Sequence, residues 1–233
     1  MVLALRKGGS EAVADRALAD LCRIYWRPLY FHARRLGNSP EDAEDLTQGF
    51  MALALKRNLL TQADQQLGRL RTFLLASFNN HIHNVHRDRQ TRQRGGGLAI
   101  VSLDELQEAE REFAVPDEHQ RTPEQEWEQQ CALALVDAAM NALEQEQASA
   151  GHQTEFQLLR HEMDPRGAPD ERGQAVLAAQ LNLSHDQLRQ KLTRLRARFR
   201  ALIRDLVRET LREPTESQVD DELRALREAL AGY

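Results

Sequence analysis

Apolar residues recur at helical spacing through most of this chain. Ala17, Leu18, Leu21, Ile24 and Tyr25 begin a stripe that runs on through Trp26, Leu29 and Tyr30, with Pro28 marking a kink or a fresh helix start. Gly37-Asn38 punctuates. Ser39 then reads as an N-cap, Pro40 suits a first helical position, and Glu41 and Asp42 suit the positive end of a helix dipole. From Pro40 to about Arg57, Ala43, Leu46, Phe50, Leu53 and Ala54 share one face. Glu41, Glu44, Asp45 and Gln48 share the other, with Asp42 on the flank. Asn58 to Gly68 is mostly polar and reads as a loop. A third helix starts near Arg69 and turns Leu70, Phe73, Leu74, Phe78, Ile82 and Val85 inward. It carries Asn79, Asn80, His83, Asn84, His86, Arg87 and Gln90 outward and ends at Gly95-Gly96-Gly97.

Residues 98–122 read as a connector, since slight β-propensity at Ala99 to Ser102 does not amount to a strand. Thr122-Pro123-Glu124-Gln125 forms a capping box that opens a helix with Trp127, Cys131, Ala134, Leu135 and Ala138 inward. A further helix holds Phe156, Leu159 and Met163, and a loop spans Asp164 to Glu171. Gln174 to Arg212 has the form of a helix-turn-helix. Val176, Leu177 and Leu181 make its short first helix. Asn182 holds the turn, where left-handed geometry is needed. Ser184-His185-Asp186-Gln187 is a second capping box, and Leu188, Leu192, Leu195, Phe199, Leu202, Ile203 and Leu206 keep one inner face beyond it. The expected fold is all-α, with helical domains at 11–97 and 123–212, an acidic linker between them and a helical extension over 213–233.

Charge changes this picture more than composition does. The net charge of −5 argues against a uniformly basic binder of nucleic acid, so any such function must sit in patches. Gln66 to Gly97 holds six Arg against one Asp, Ser102 to Glu128 ten acids against two Arg, and Val176 to Arg212 nine Lys and Arg against three acids. Two basic helical blocks therefore flank an acidic connector. No apolar run reaches the roughly 20 residues of a membrane span, and no leader pattern opens the chain. Cys22 and Cys131 lie in apolar helical patterns and read as buried thiols, which fits a cytoplasmic protein.

The exposed faces suggest binding rather than catalysis. Asn, His and Arg on the third helix suit unpaired bases and phosphates. Gln190, Thr193 and Arg194, flanked by Arg189, Lys191 and Arg196, suit a major groove, because they follow a capped turn at the start of a second helix. His81, His83 and His86 do not make a metal set. A helical period puts His81 and His83 on opposite sides, and no Cys or carboxylate completes them. Gly95-Gly96-Gly97 ends a helix instead of joining a strand to one, so it is not a phosphate loop. Neither a cofactor nor an enzymatic activity is expected.

Together these segments resemble the extracytoplasmic-function group of bacterial sigma factors. Tyr25-Trp26-Arg27-Pro28-Leu29-Tyr30 with Ala33-Arg34-Arg35 is similar to the start of sigma region two. Pro40-Glu41-Asp42-Ala43-Glu44-Asp45-Leu46-Thr47-Gln48 is similar to the acidic helix that binds the clamp helices of the polymerase β′ subunit. Gly68-Arg69-Leu70-Arg71-Thr72-Phe73-Leu74, with the Arg-Gly-Gly-Gly at its helix end, resembles the promoter-melting segment. The second basic block resembles region four, which reads the −35 element. Val219-Asp220-Asp221-Glu222-Leu223 is similar to a subgroup with a C-terminal helical extension.

The resemblance implies a protein that brings core RNA polymerase to promoter DNA. Glu41, Asp42, Glu44, Asp45 and Gln48 would dock on β′. Arg69, Arg71, Asn79, Asn80, His83, Asn84 and Arg87 would meet the −10 region. Asp186, Arg189, Gln190, Lys191, Thr193, Arg194 and Arg196 would serve the −35 element beside the β flap. The acidic linker would thread channels built for nucleic acid. It further implies control by a Ser/Thr kinase or an anti-sigma regulator, with Thr47 as the candidate phosphorylation site. Gly49 departs from the family, which usually has an acid there, and His and Asn replace several basic residues between Asn79 and His86. Two other readings stay open: a helix-turn-helix regulator that works without polymerase, and a helical adaptor with no DNA role.

Overall fold

The computed structural model describes residues 11–56, 70–93, 121–163, 171–211 and 214–231. These residues are all-helical, in eight helices. They are α1 (Glu11–Arg35), α2 (Pro40–Lys56), α3 (Leu70–Gln93), α4 (Pro123–Ser149), α5 (Gln153–Met163), α6 (Glu171–Gln180), α7 (His185–Thr210) and α8 (Glu216–Ala231). No described helix is long and apolar enough to cross a membrane. The expected loop at 58–68, the glycine run at 95–97 and the stretch at 99–102 lie outside the described residues.

Local chemistry sets the helix ends. Three helices close in the same way, with a residue of positive φ that lets the last carbonyls be satisfied. After α1, Gly37 (φ 84°) donates to Arg34 O and Asn38 to Ala33 O. After α4, Gly151 (φ 79°) donates to Ala148 O and His152 to Gln147 O. After α6, Asn182 (φ 52°) takes the glycine's role, donating to Ala179 O while Leu183 donates to Ala178 O. Side-chain caps open several of the helices. Ser39 Oγ accepts from Asp42 N at 3.0 Å, and both expected capping boxes form, at Thr122/Gln125 and Ser184/Gln187. A further box, Thr215/Gln218, opens α8. Pro28 neither ends nor restarts a helix, since α1 runs through it.

The chain divides into two compact units, one through Cys131 and the other from Ala132 through Ala231. The division falls inside α4, later than the expected boundary at Pro123, because Trp127 and Cys131 belong to the first core. In that core Tyr25, Leu29 and Ala33 of α1 meet Ala43, Leu46 and Phe50 of α2 and Leu70, Leu74, Phe78 and Ile82 of α3. Phe50 and Phe78 touch with ring centroids 5.1 Å apart. Burial pushes the Cys131 thiol far above its ordinary pKa, so it is an inert core residue. In the second unit Val136, Met140 and Leu143 of α4 meet Phe156 and Leu159 of α5, Ala178 of α6, and Leu188, Leu192, Leu195 and Phe199 of α7.

Arg71 departs from its expected place. It is 3% exposed and pairs with Glu128, so it is an interior cation of the first unit and does not face a nucleic acid. Removing one partner of a buried pair strands the other charge, typically at a cost of about 3–5 kcal/mol. Glu128 retains a third of its exposure, which favours the low end. Glu128→Gln should therefore destabilise the protein by about 3 kcal/mol in urea unfolding. Arg71→Met, which removes the charge and keeps the volume, should cost less.

Candidate docking helix and nucleic-acid interface

In the first unit the inner arc of α2 is filled by Ala43, Leu46, Thr47, Phe50 and Ala54, all at most 4% exposed. Glu41, Glu44, Asp45 and Gln48 are thereby turned to solvent. Gln48 donates to Glu44 Oε1 at 3.1 Å, one helical turn away. Asp42 is engaged differently. It accepts from Ser39 Oγ at 2.8 Å and from Arg89 Nη1 of α3 at 2.6 Å. The Arg89 guanidinium, helped by the Ser39 hydroxyl, holds the Asp42 carboxyl below the usual carboxylate range. Three open carboxylates and one shared with α3 thus make up the acidic end of α2.

Thr47 does not sit at the edge of this face, as expected, but inside the core. It is fully buried and its hydroxyl donates to Ala43 O at 2.7 Å. A kinase cannot reach that hydroxyl, and a phosphate there would force charge into packed apolar surroundings. Gly49 has a physical explanation. A Cβ on it would lie 3.3 Å from His81 Nε2, so the bare backbone makes room for that ring. His81 is half-buried against Phe50, and burial lowers its pKa.

The outer face of α3 is smaller than expected. Asn80, His83, Asn84 and Arg87 are exposed. Asn79 turns inward, where its Oδ1 accepts from Nε2 of the buried His32 at 2.8 Å. Arg69 lies outside the described residues. No group of His, Cys, Asp and Glu among the described residues is arranged to hold a metal ion.

In the second unit, α6, the turn at Leu181–Ser184 and α7 form the expected helix-turn-helix. Leu188, Leu192, Leu195 and Phe199 define the inner side of α7, and the charges next to it are tied down. Lys191 pairs with Glu155, Arg196 Nη2 donates to Glu162 O at 2.8 Å, and Arg198 holds Glu146 with two bonds of 2.5 and 2.9 Å. Lys191 and Arg196 are thus anchors of the helix rather than open contacts. Between these flanks Asp186, Arg189, Gln190, Thr193, Arg194 and Arg200 are exposed, on an arc of about 140° at 100° per residue. Among the described residues no ion pair engages Arg189, Arg194 or Arg200. Thr193 donates to Arg189 O at 2.8 Å within the helix. Further along, Arg204 reaches Glu216 and Asp220 of α8 at 2.6 Å each, and Arg208 reaches Glu216 at 2.9 Å.

Sequence reasoning missed the Arg89–Asp42 bond, the His81–Gly49 contact and the Thr215/Gln218 cap. The last had a signal, the Thr-x-x-Gln spacing; the first two join residues far apart in the chain and had none. No family model, curated protein or solved structure matches the chain.

The Arg89–Asp42 contact is sensitive to pH. A depressed carboxylate contributes above its ordinary pKa, and the contribution disappears as pH falls through the folded value. Arg89→Ala should therefore move the titration of Asp42 upward toward an ordinary carboxylate in a carboxyl-carbon NMR titration.

Proposed function

We propose that this chain is a sigma factor of the extracytoplasmic-function group, a non-enzymatic cytoplasmic protein that carries core RNA polymerase to selected promoters. The observation that carries the reading is the acidic face of α2. Glu41, Glu44 and Asp45 are held open by a helix whose inner side is packed, within a motif that resembles the β′-binding helix of that group. A surface of fixed like charges suits steering and register against a basic partner.

On this reading the first unit acts as region two and the second as region four, joined through the acid-rich stretch before Thr122. Asn80, His83, Asn84 and Arg87 of α3 take the opened −10 strand. Asp186, Arg189, Gln190, Thr193 and Arg194 of α7 read the −35 element, with the β flap beside them. Lys191 and Arg196 hold the recognition helix, and Arg71 and Asn79 hold α3. Control by a partner regulator belongs to the same reading, but the buried Thr47 plays no part in it.

The open arc of α7 alone also supports a DNA-binding regulator that does not need polymerase. Glu44→Arg with Asp45→Arg separates the two. For a sigma factor the double variant keeps its circular dichroism and loses co-elution with core polymerase. For an independent regulator, neither the wild type nor the variant co-elutes, and duplex binding is equal. Undiminished co-elution of the variant overturns the docking role of α2.

Recognition by α7 has its own test. A bidentate contact from Arg194 to guanine is worth about 1–3 kcal/mol of discrimination. Arg194→Ala should lower promoter-specific run-off transcription and relax the preference at one −35 base, while polymerase binding is unchanged. Unaltered base preference excludes Arg194 as a reader.

A further inference from the structure

Helix α1 exposes a second basic surface that neither the docking helix nor the helix-turn-helix uses. From Cys22 to Leu36 the chain has four Arg and no Asp or Glu, within a protein of net charge −5. At about 100° per residue, Arg23, Trp26, Arg27, Tyr30, Phe31 and Arg34 share one arc, opposite the buried Tyr25, Leu29 and His32. Aromatics make up only 5% of the chain, yet three of them lie here within six residues. Trp26 is 36% exposed and Phe31 40%. The rings are ordered against one another. Trp26 and Tyr30 stack at 5.4 Å with 6° between their planes, Phe31 meets Tyr30 edge-on at 5.6 Å, and the Arg27 guanidinium lies 5.5 Å above Phe31. A cleft of about 250 Å³ borders the face, lined in part by Pro28, Phe31, Arg34 and Trp127.

We propose that this face of α1 binds single-stranded nucleic acid. Bases extend the Trp26–Tyr30 stack and cover Phe31, and Arg23, Arg27 and Arg34 take the phosphates. Interleaved cations and open rings suit a strand whose bases have free π-faces. A duplex offers no such faces, because its bases are already stacked on one another. The distance from Arg23 to Arg34 is about 16 Å along the helix at 1.5 Å per residue, the length of about five stacked nucleotides. Arg35 lies off this arc and pairs with Glu126 at 3.0 Å, so the cations of the face itself are Arg23, Arg27 and Arg34.

The test uses the full-length protein and a ten-residue oligothymidylate. Trp127 is buried in the first core, so Trp127→Phe leaves Trp26 as the sole tryptophan and a direct reporter. The oligonucleotide should quench Trp26 saturably, with an affinity that falls as salt rises. A duplex of the same length should bind this face at least 10-fold more weakly. In anisotropy with labelled oligothymidylate, Trp26→Ala and Arg27→Ala with Arg34→Ala should each lose about 10- to 100-fold, and Trp26→Phe should lose little. Unchanged melting temperatures would assign these losses to the surface.

Full affinity in Trp26→Ala overturns the proposal, as does binding without quenching of Trp26. If the face binds polyglutamate and not the oligonucleotide, it is a protein-docking surface and the proposal fails. Arg189→Ala with Arg194→Ala, read on a promoter duplex, reports α7 separately, so failure of one surface is not mistaken for failure of the other.

Discussion

The contact between Phe50 of α2 and Phe78 of α3 constrains the first unit more than any other. Both rings are at most 1% exposed and lie 5.1 Å apart, with Leu46 and Leu29 filled in around them. Burying such rings removes large apolar areas from water, and interiors at close packing do not tolerate rotation of one element against another. Once Phe50 is seated, the orientation of α2 about its axis is set. Ala43, Leu46 and Thr47 must then face inward, and Glu41, Glu44 and Asp45 must face out. The open carboxylates are thus a consequence of the core. The same seating brings His81 over Gly49, the position at which a side chain would meet that ring.

The second unit rests on a different device. Its helix-turn-helix depends on one residue, Asn182, which adopts φ 52° and lets the amides of 182 and 183 close α6 before Ser184 caps α7. The side chain of α7 that faces outward is then decided by Leu188, Leu192, Leu195 and Phe199. Cations near the inner side are consumed by Glu146, Glu155 and the carbonyl of Glu162, which fixes the helix to its own unit. Those pairs are exposed or half-exposed, so they contribute little stability singly; their effect is to define register.

Much of this was legible in the sequence. The helical class, the Ser184 and Thr122 boxes, the left-handed Asn182 and most core positions of α2, α3 and α7 follow from spacing and capping chemistry alone. The errors have a common origin. Residue type alone turns Arg71 outward, although it lies three, seven and eleven residues before Leu74, Phe78 and Ile82 and so falls on their arc. Thr47 likewise shares the arc of Ala43, Phe50 and Ala54. In both cases the helical period pointed inward and the polar side chain argued outward. Period won, because each polar group found a partner in the interior: Glu128 for Arg71 and Ala43 O for Thr47. Contacts between distant segments, such as Arg89 with Asp42 or His32 with Asn79, were not legible, since no local rule pairs residues 47 positions apart.

These corrections sharpen the division of labour among the charged residues. A polar side chain can hold a helix in place or face a partner, and here the hydrogen-bond geometry sorts the two. Arg71, Asn79, Lys191 and Arg196 are spent within their units; Asn80, Arg189, Gln190 and Arg194 are exposed. The sorting has an energetic reason. A cation that must desert an internal acid before it meets a phosphate loses part of what the new contact provides, whereas an exposed one does not. An interface built from the exposed set is therefore pre-organised, with the anchored set holding its backbone in register. The aromatic face of α1 follows the same logic, because its rings already stack on one another and need not order when a base arrives.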